Sequence, residues 1–132
     1  MLKILKRIVQ EVTTAPHLTD ALNILVKCVK EAVSADAVSV YLMDNKHAEY
    51  VLVATEGLNP GACFKVRIGI DLGLVGLVGR REEPLNLDNA PAHPDFYANT
   101  LLGEDIFYGY LGIPIIQHRK LYGILAVQQV PE

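Results

Sequence analysis

The chain has 132 residues, of which 51% are hydrophobic and 20% charged, with a net charge of −3. This length suits one domain with a sizeable core, and the composition excludes disorder. The weakly acidic balance and the lack of a basic patch argue against nucleic acid as a partner. Cys28 and Cys63 form no CxxC pair, which favours reduced thiols and a cytoplasmic setting. No apolar run reaches the ~18 residues of a membrane span. The basic start resembles a signal n-region, but Gln10 and Glu11 break the apolar segment that follows, so no signal peptide is expected.

Leu2, Leu5, Val9 and Val12, with Ile4 and Ile8 alongside, carry a helical period over about 2–13. Such a helix is ~18 Å long and too short to stand alone. Its apolar stripe needs a partner surface, and a symmetry mate is one candidate: a homodimer through Leu2, Leu5, Val9 and Val12. Thr19 is placed to cap a second helix, with Asp20 in its first turn. Leu22, Leu25, Val29, Ala32 and Val33 give that helix its stripe, ending near Ser34.

The period then falls to two. Val38, Val40 and Leu42 alternate with Ser39, Tyr41 and Met43, a turn follows over 44–47, and 50–55 returns as a second strand. After a loop at 57–61, Phe64, Val66 and Ile68 predict a third strand. Gly73, Gly76 and Gly79 recur every three residues in a helix predicted over about 73–81. Each glycine costs a helix interior roughly 1 kcal/mol against alanine, so close approach of the helix backbone to a sheet or a ligand is expected in return.

A short strand at 84–88 and an irregular lid over 89–106 come next, with one helical turn expected near 94–98. The segments 107–117 and 120–129 form a closing hairpin across His118 and Arg119. Pro114 lies inside it, where a missing ladder donor predicts an irregularity. Two helices, three strands, a helix and three strands describe an α+β protein with a largely antiparallel sheet. The chain stops directly after an apolar strand, so it reads as one module, 1–132, cut from a longer protein that continues in helix.

The glycine helix and the lid suit the wall and cover of a small-molecule pocket. Ser39 and Tyr41 share one strand face, and strict alternation puts Tyr108 and Tyr110 together on another. Tyrosines have an apolar body and a polar tip, as a mostly apolar pocket requires. The lid adds Asp88, His93 and Tyr97, in the kind of loop where binding groups concentrate. No Gly-Lys-Ser/Thr end completes a phosphate loop, and the glycine spacing is not the dinucleotide fingerprint. Asp88 and His93 do not have a recognised metal spacing and no cysteine accompanies them, so no metal and no cofactor is expected. The four histidines are scattered without a neighbouring nucleophile, so the segment reads as non-catalytic.

The order of Ala37-Val-Ser-Val-Tyr-Leu-Met-Asp44, Gly73-Leu-Val-Gly76, Glu83-Pro-Leu-Asn-Leu-Asp88, His93-Pro94, Leu111-Gly-Ile-Pro-Ile115 and Tyr122-Gly-Ile-Leu-Ala126 resembles a GAF domain across essentially the whole chain. Ala21-Leu-Asn-Ile-Leu-Val26, Gly73-Leu-Val-Gly-Leu-Val-Gly-Arg80 and Val127-Gln-Gln129 look like one subfamily, the GAF domains of nitrogen-type phosphoenolpyruvate–protein phosphotransferases. The resemblance implies a six-stranded antiparallel sheet with two N-terminal helices on one face. It places a short helix and a lid loop over a ligand pocket on the other. It also implies a further helix after Glu132 and downstream phosphotransferase domains as partners.

The function implied is regulatory: sensing a small metabolite, with glutamine and 2-oxoglutarate as the associated effectors; the alternative reading is a domain that mainly dimerises or interacts, with no metabolite bound. A ligand carboxylate would then favour the helix start near Gly73, and an amine would favour Asp88 or a tyrosine hydroxyl. The Asn-Lys-Phe-Asp-Glu signature of cyclic-nucleotide-binding members is absent, and neither cysteine lies in the lid where bilin-binding members attach their pigment.

Overall fold

The computed structural model describes residues 17–97 and 107–131. The expected helix over 2–13, with Leu2, Leu5, Val9 and Val12, and the second half of the lid lie outside the described residues. Helix α1 (Leu18–Val33) precedes a meander of β1 (Ala37–Asp44), β2 (Glu49–Glu56) and β3 (Arg67–Gly69). Helix α2 (Gly73–Arg81), β4 (Leu85–Leu87), β5 (Gly109–Gln117) and β6 (Lys120–Gln129) follow among the described residues. All six strands form one sheet in the order β3-β2-β1-β6-β5-β4, with every pairing antiparallel. Both edge strands have three residues, which limits the unpaired backbone offered to other chains.

Strand alternation sorts the core into two layers. Val38 and Val40 of β1 and Val51 and Val53 of β2 cluster with Val26, Leu22, Leu25 and Val29 of α1. On the opposite face, Tyr41, Tyr50, Leu52, Ile124 and Ala126 cluster with Leu74, Val75 and Val78 of α2. Sequence spacing thus places the two helices on opposite faces, as period-two strands require. Between Val40 and Tyr41 the β1–β2 register shifts, so that Val40 pairs with Ala54 and Tyr41 with Leu52. This bulge lets Val53 and Ala54 both join the α1 layer.

Several local expectations need correction. His17, not Thr19, occupies the N-cap of α1, and no side chain caps it. Ala32 and Val33 are exposed, because α1 packs on β1 and β2 and its last turn leads away into Ser34 in the left-handed conformation. The third strand is only three residues long. Before it, a 3-10 turn (Pro60–Ala62), whose Asn59 side chain accepts from Gly61 N–H, leads to Phe64 at φ 66°, a left-handed residue that cannot continue a strand. The helical turn of the lid is a 3-10 turn at Ala90–Ala92, earlier than expected, with Pro91 inside it. The irregularity expected at Pro114 appears as a register shift between Ile115 and Ile116.

Helix α2 has the predicted bounds, and its glycines have distinct reasons. A Cβ on Gly76 would lie 2.9 Å from the Ile70 carbonyl oxygen, where the loop entering the helix folds back on it. Arg80 fastens that loop by donating from Nη1 to the Asp71 carbonyl at 3.0 Å. A Cβ on Gly79 would coincide with the Tyr50 hydroxyl of β2.

Candidate functional site

A small cavity opens where the start of α2 meets the sheet. It is lined by Tyr41 of β1, Ile68 of β3, Leu72, Gly73, Leu74 and Val75 at the helix start, Phe96 and Tyr97 of the lid, Tyr110 of β5 and Gln128 of β6. The space open to a water-sized body is about 20 Å³, roughly room for a single water. Apart from tyrosine hydroxyls, no ionisable side chain lines it among the described residues.

Each polar group arrives there for a local reason. Tyr41 and Tyr110 are buried on inward positions of β1 and β5. Gln128 continues the inward series Ile124 and Ala126 on β6 and is only 4% exposed. Gly73 is the first residue of α2 and has φ +71°. Leu72, the N-cap, offers no side-chain acceptor, and the Gly76 N–H is the one that bonds to the Leu72 carbonyl, at 3.1 Å. Peptide N–H groups of a first helical turn otherwise lack intrahelical partners and favour anionic groups. Aromatic walls, neutral polar tips and a helix start thus meet around a space the size of about one water.

Of the residues expected at a ligand site, Tyr41, Gly73, Tyr97 and Tyr110 line this cavity. Ser39, Asp88, His93 and Tyr108 do not. Ser39 is fully buried, and its hydroxyl is 2.9 Å from that of Thr55, across the β1–β2 ladder. Asp88 lines a separate groove on the α1 face of the sheet, because β4 leads out along the opposite edge. His93 closes its own turn, its Nδ1 accepting from the Asp95 N–H at 3.0 Å. Tyr108 is 40% exposed. It precedes the first residue of β5, where strict alternation has not begun, and Phe107 takes the inward position instead.

Gln128 and Phe96 were missed. A signal for Gln128 existed: a glutamine at the third inward position of an otherwise apolar strand. Phe96 offered none beyond its place in the lid.

Two further groups bear on chemistry. Burial pushes the Cys63 thiol up from its ordinary range, which lowers its thiolate fraction and its nucleophilicity at neutral pH. Among the described residues no cluster of three or more His, Cys, Asp or Glu could hold a metal ion, and no helix is long and apolar enough to cross a membrane.

A curled antiparallel sheet with one helix behind it, and a second helix and a loop closing over a small cavity in front, defines an α+β domain of GAF-like architecture. The GAF domain family profile matches residues 17–132, and the chain belongs to the GAF family. It is 46% identical over 121 residues to a protein of Escherichia coli strain K12 described as "Phosphoenolpyruvate-dependent phosphotransferase system". That match covers 92% of this chain and 16% of the relative, so the chain spans about a sixth of the length of the curated relatives it matches.

Among solved structures, the GAF domain of a phosphoenolpyruvate–protein phosphotransferase from Coxiella burnetii superposes with a TM-score of 0.92 at 50% identity, covering 98% of this chain and 77% of that one. The corresponding GAF domain from Acinetobacter gives 0.88 at 41% identity, covering 98% and 76%.

Proposed function

We propose that this domain is the regulatory sensor of a phosphoenolpyruvate–protein phosphotransferase in nitrogen signalling, working in the cytoplasm and binding a small metabolite in the cavity at the start of α2. The similarity to phosphotransferase relatives supports the parent enzyme. The observation that carries the sensing role is the cavity itself, where Tyr41, Tyr110 and Gln128 converge on the first turn of α2 under Phe96 and Tyr97.

The small volume has a mechanistic consequence. A space of about 20 Å³ admits no metabolite until Phe96 and Tyr97 move outward. Occupancy is then tied to displacement of the lid, and a ligand that favours the displaced state shifts the population toward it. Couplings between such sites typically amount to about 1–3 kcal/mol, enough to bias an attached catalytic domain.

Glutamine and 2-oxoglutarate are the candidate effectors, and the lining favours glutamine. One carboxylate suits the peptide N–H groups of residues 73–75. A second carboxylate would meet no cationic side chain among the described lining residues. The amine finds tyrosine hydroxyls and aromatic faces, since Asp88 lies on the other side of the sheet.

Calorimetry on the full chain with each compound tests the reading. Saturable binding of glutamine, weakened at least tenfold by Tyr97→Ala and by Gln128→Leu, is expected. Silence for both compounds at millimolar concentration overturns the choice of metabolite.

A further inference from the structure

The β5–β6 hairpin closes through a turn that its residue types do not favour. Gln117 pairs with Lys120, leaving a two-residue loop of His118 at φ 53° and Arg119 at φ 64°. Such a turn selects asparagine and then glycine, because both central residues are left-handed. Histidine tolerates that region better than most residues, but arginine at the glycine position is penalised through its Cβ. What the turn gains in exchange is charge. Arg119 and Lys120 follow His118 directly, and all three are exposed. The β1–β2 turn, brought alongside by the pairing of Leu42 with Gly123, carries Asp44 and Glu49, but Arg67 holds both carboxylates. Among the described residues no carboxylate forms an ion pair with Arg119 or Lys120.

Beside the turn, two apolar side chains are turned outward. Ile115 pairs with Gly123 and Ile116 with Leu121, so Tyr122 is the extra residue of a bulge, a device that re-aims a side chain. The Lys120 Nζ lies 5.3 Å from the centroid of the Tyr122 ring. Ile116 and Tyr122 are each 42% exposed, and neither belongs to a core layer. Helices α1 and α2 thus leave this end of the hairpin uncovered. We propose that residues 116–122 form a docking finger that enters an acidic cleft on the phosphotransferase part of the parent enzyme, an inference that rests on the parent proposed above. Arg119 and Lys120 meet carboxylates in that cleft, and Ile116 and Tyr122 fill its apolar walls. Tyrosine and arginine are the side chains that most often dominate protein interfaces. A nucleic acid would ask for a longer basic stripe. A domain of net charge −3 is poorly matched to an anionic lipid surface, to which so few cations add only weak attraction.

Photo-crosslinking in the intact parent protein tests the finger. With benzoylphenylalanine in place of Gln117, the expected adduct is to a peptide rich in Asp and Glu from outside residues 1–132 of the same polypeptide. Arg119→Glu should lower its yield roughly fivefold or more, and high salt should lower it as well. His118→Asn combined with Arg119→Gly gives the turn its favoured residues. The melting temperature of the domain should then rise while the adduct is lost, so that unfolding cannot account for the loss. An adduct unchanged by these variants, an adduct to a second copy of residues 1–132, or labelling of phospholipid alone overturns the proposal. Absence of phosphoryl transfer from phosphoenolpyruvate to the intact protein overturns the parent-enzyme reading itself. Phosphoryl transfer without an adduct overturns the finger alone.

Discussion

The hydroxyl of Tyr50, on β2, occupies the position that a Cβ on Gly79 would take in α2. Tyr50 is 1% exposed, so its ring has no room to swing away. Alanine at Gly79 gains about 1 kcal/mol of helix propensity but forces an overpacked contact that typically costs about 1–3 kcal/mol. Gly79→Ala is therefore expected to lower stability by up to about 2 kcal/mol in urea denaturation. Tyr50→Phe in the Gly79→Ala background should recover part of the loss, because the ring carbon Cζ would still stand 2.9 Å from the new Cβ. A double-mutant cycle with no coupling between the two positions contradicts the contact.

Gly73 makes a different demand, set by backbone hand and not by space. A Cβ there would meet only the Tyr97 Cβ at 3.5 Å, an ordinary contact, but φ is +71°. Left-handed backbone costs an L-residue roughly 1–2 kcal/mol, and asparagine tolerates it better than alanine. Gly73→Ala should destabilise by about that amount and Gly73→Asn by clearly less. Equal losses would mean that the contact with Tyr97, and not the conformation, sets the requirement.

Ser39 and Thr55 hold each other inside the sheet. Their hydroxyls are 2.9 Å apart in a buried pair. Ser39→Ala leaves the Thr55 hydroxyl without that partner, at a cost of about 1–3 kcal/mol. Replacing both, as Ser39→Ala with Thr55→Val, removes the two polar groups together and should cost less than the single change. Since Ser39 does not line the cavity, Ser39→Ala should leave glutamine affinity measured by calorimetry unchanged within twofold. A tenfold loss would return Ser39 to the ligand site.

Regular periodicity made the framework legible. The two-residue period of β1 and β2 located both core layers, and the glycine spacing gave the bounds of α2. What escaped the sequence depends on backbone hand and on bulges. Phe64 reads as strand by hydrophobicity, yet it stands in the left-handed region and 56% exposed, ending an alternation that the residue types alone would extend. Tyr108 fails as a pocket residue for a related reason. Its N–H and carbonyl bridge Gln129 and Ala90 at 3.0 Å and 2.7 Å, a crossing between lid and sheet that alternation from Tyr110 cannot foresee. Asp88 required knowledge of which edge β4 would join. Strand alternation made Tyr41 and Tyr110 readable as cavity residues, while Gln128, on a strand, and Phe96, in the lid, were not.

Charge, finally, fixes one edge of the sheet. Arg67 on β3 donates from Nη1 to Asp44 Oδ2 at 3.0 Å and to Glu49 Oε1 at 3.3 Å, across the β1–β2 turn. His47 adds its Nδ1 2.7 Å from the same Asp44 oxygen. The Arg67 guanidinium first, and His47 second, hold the Asp44 carboxyl down at about 2, below the ordinary aspartate value of about 3.9. A carboxylate with a depressed folded-state pKa is more acidic in the native chain than in the unfolded one. Its stabilising effect is complete above about pH 4 and disappears as pH falls through about 2, because the unfolded chain takes up the proton first. Carbon-detected titration should find the Asp44 midpoint near 2. Arg67→Gln should raise it toward the ordinary value and His47→Gln should raise it less, and both shifts should shrink in high salt for these solvent-facing charges. An unchanged midpoint in Arg67→Gln would remove the tie between the edge strand and the turn.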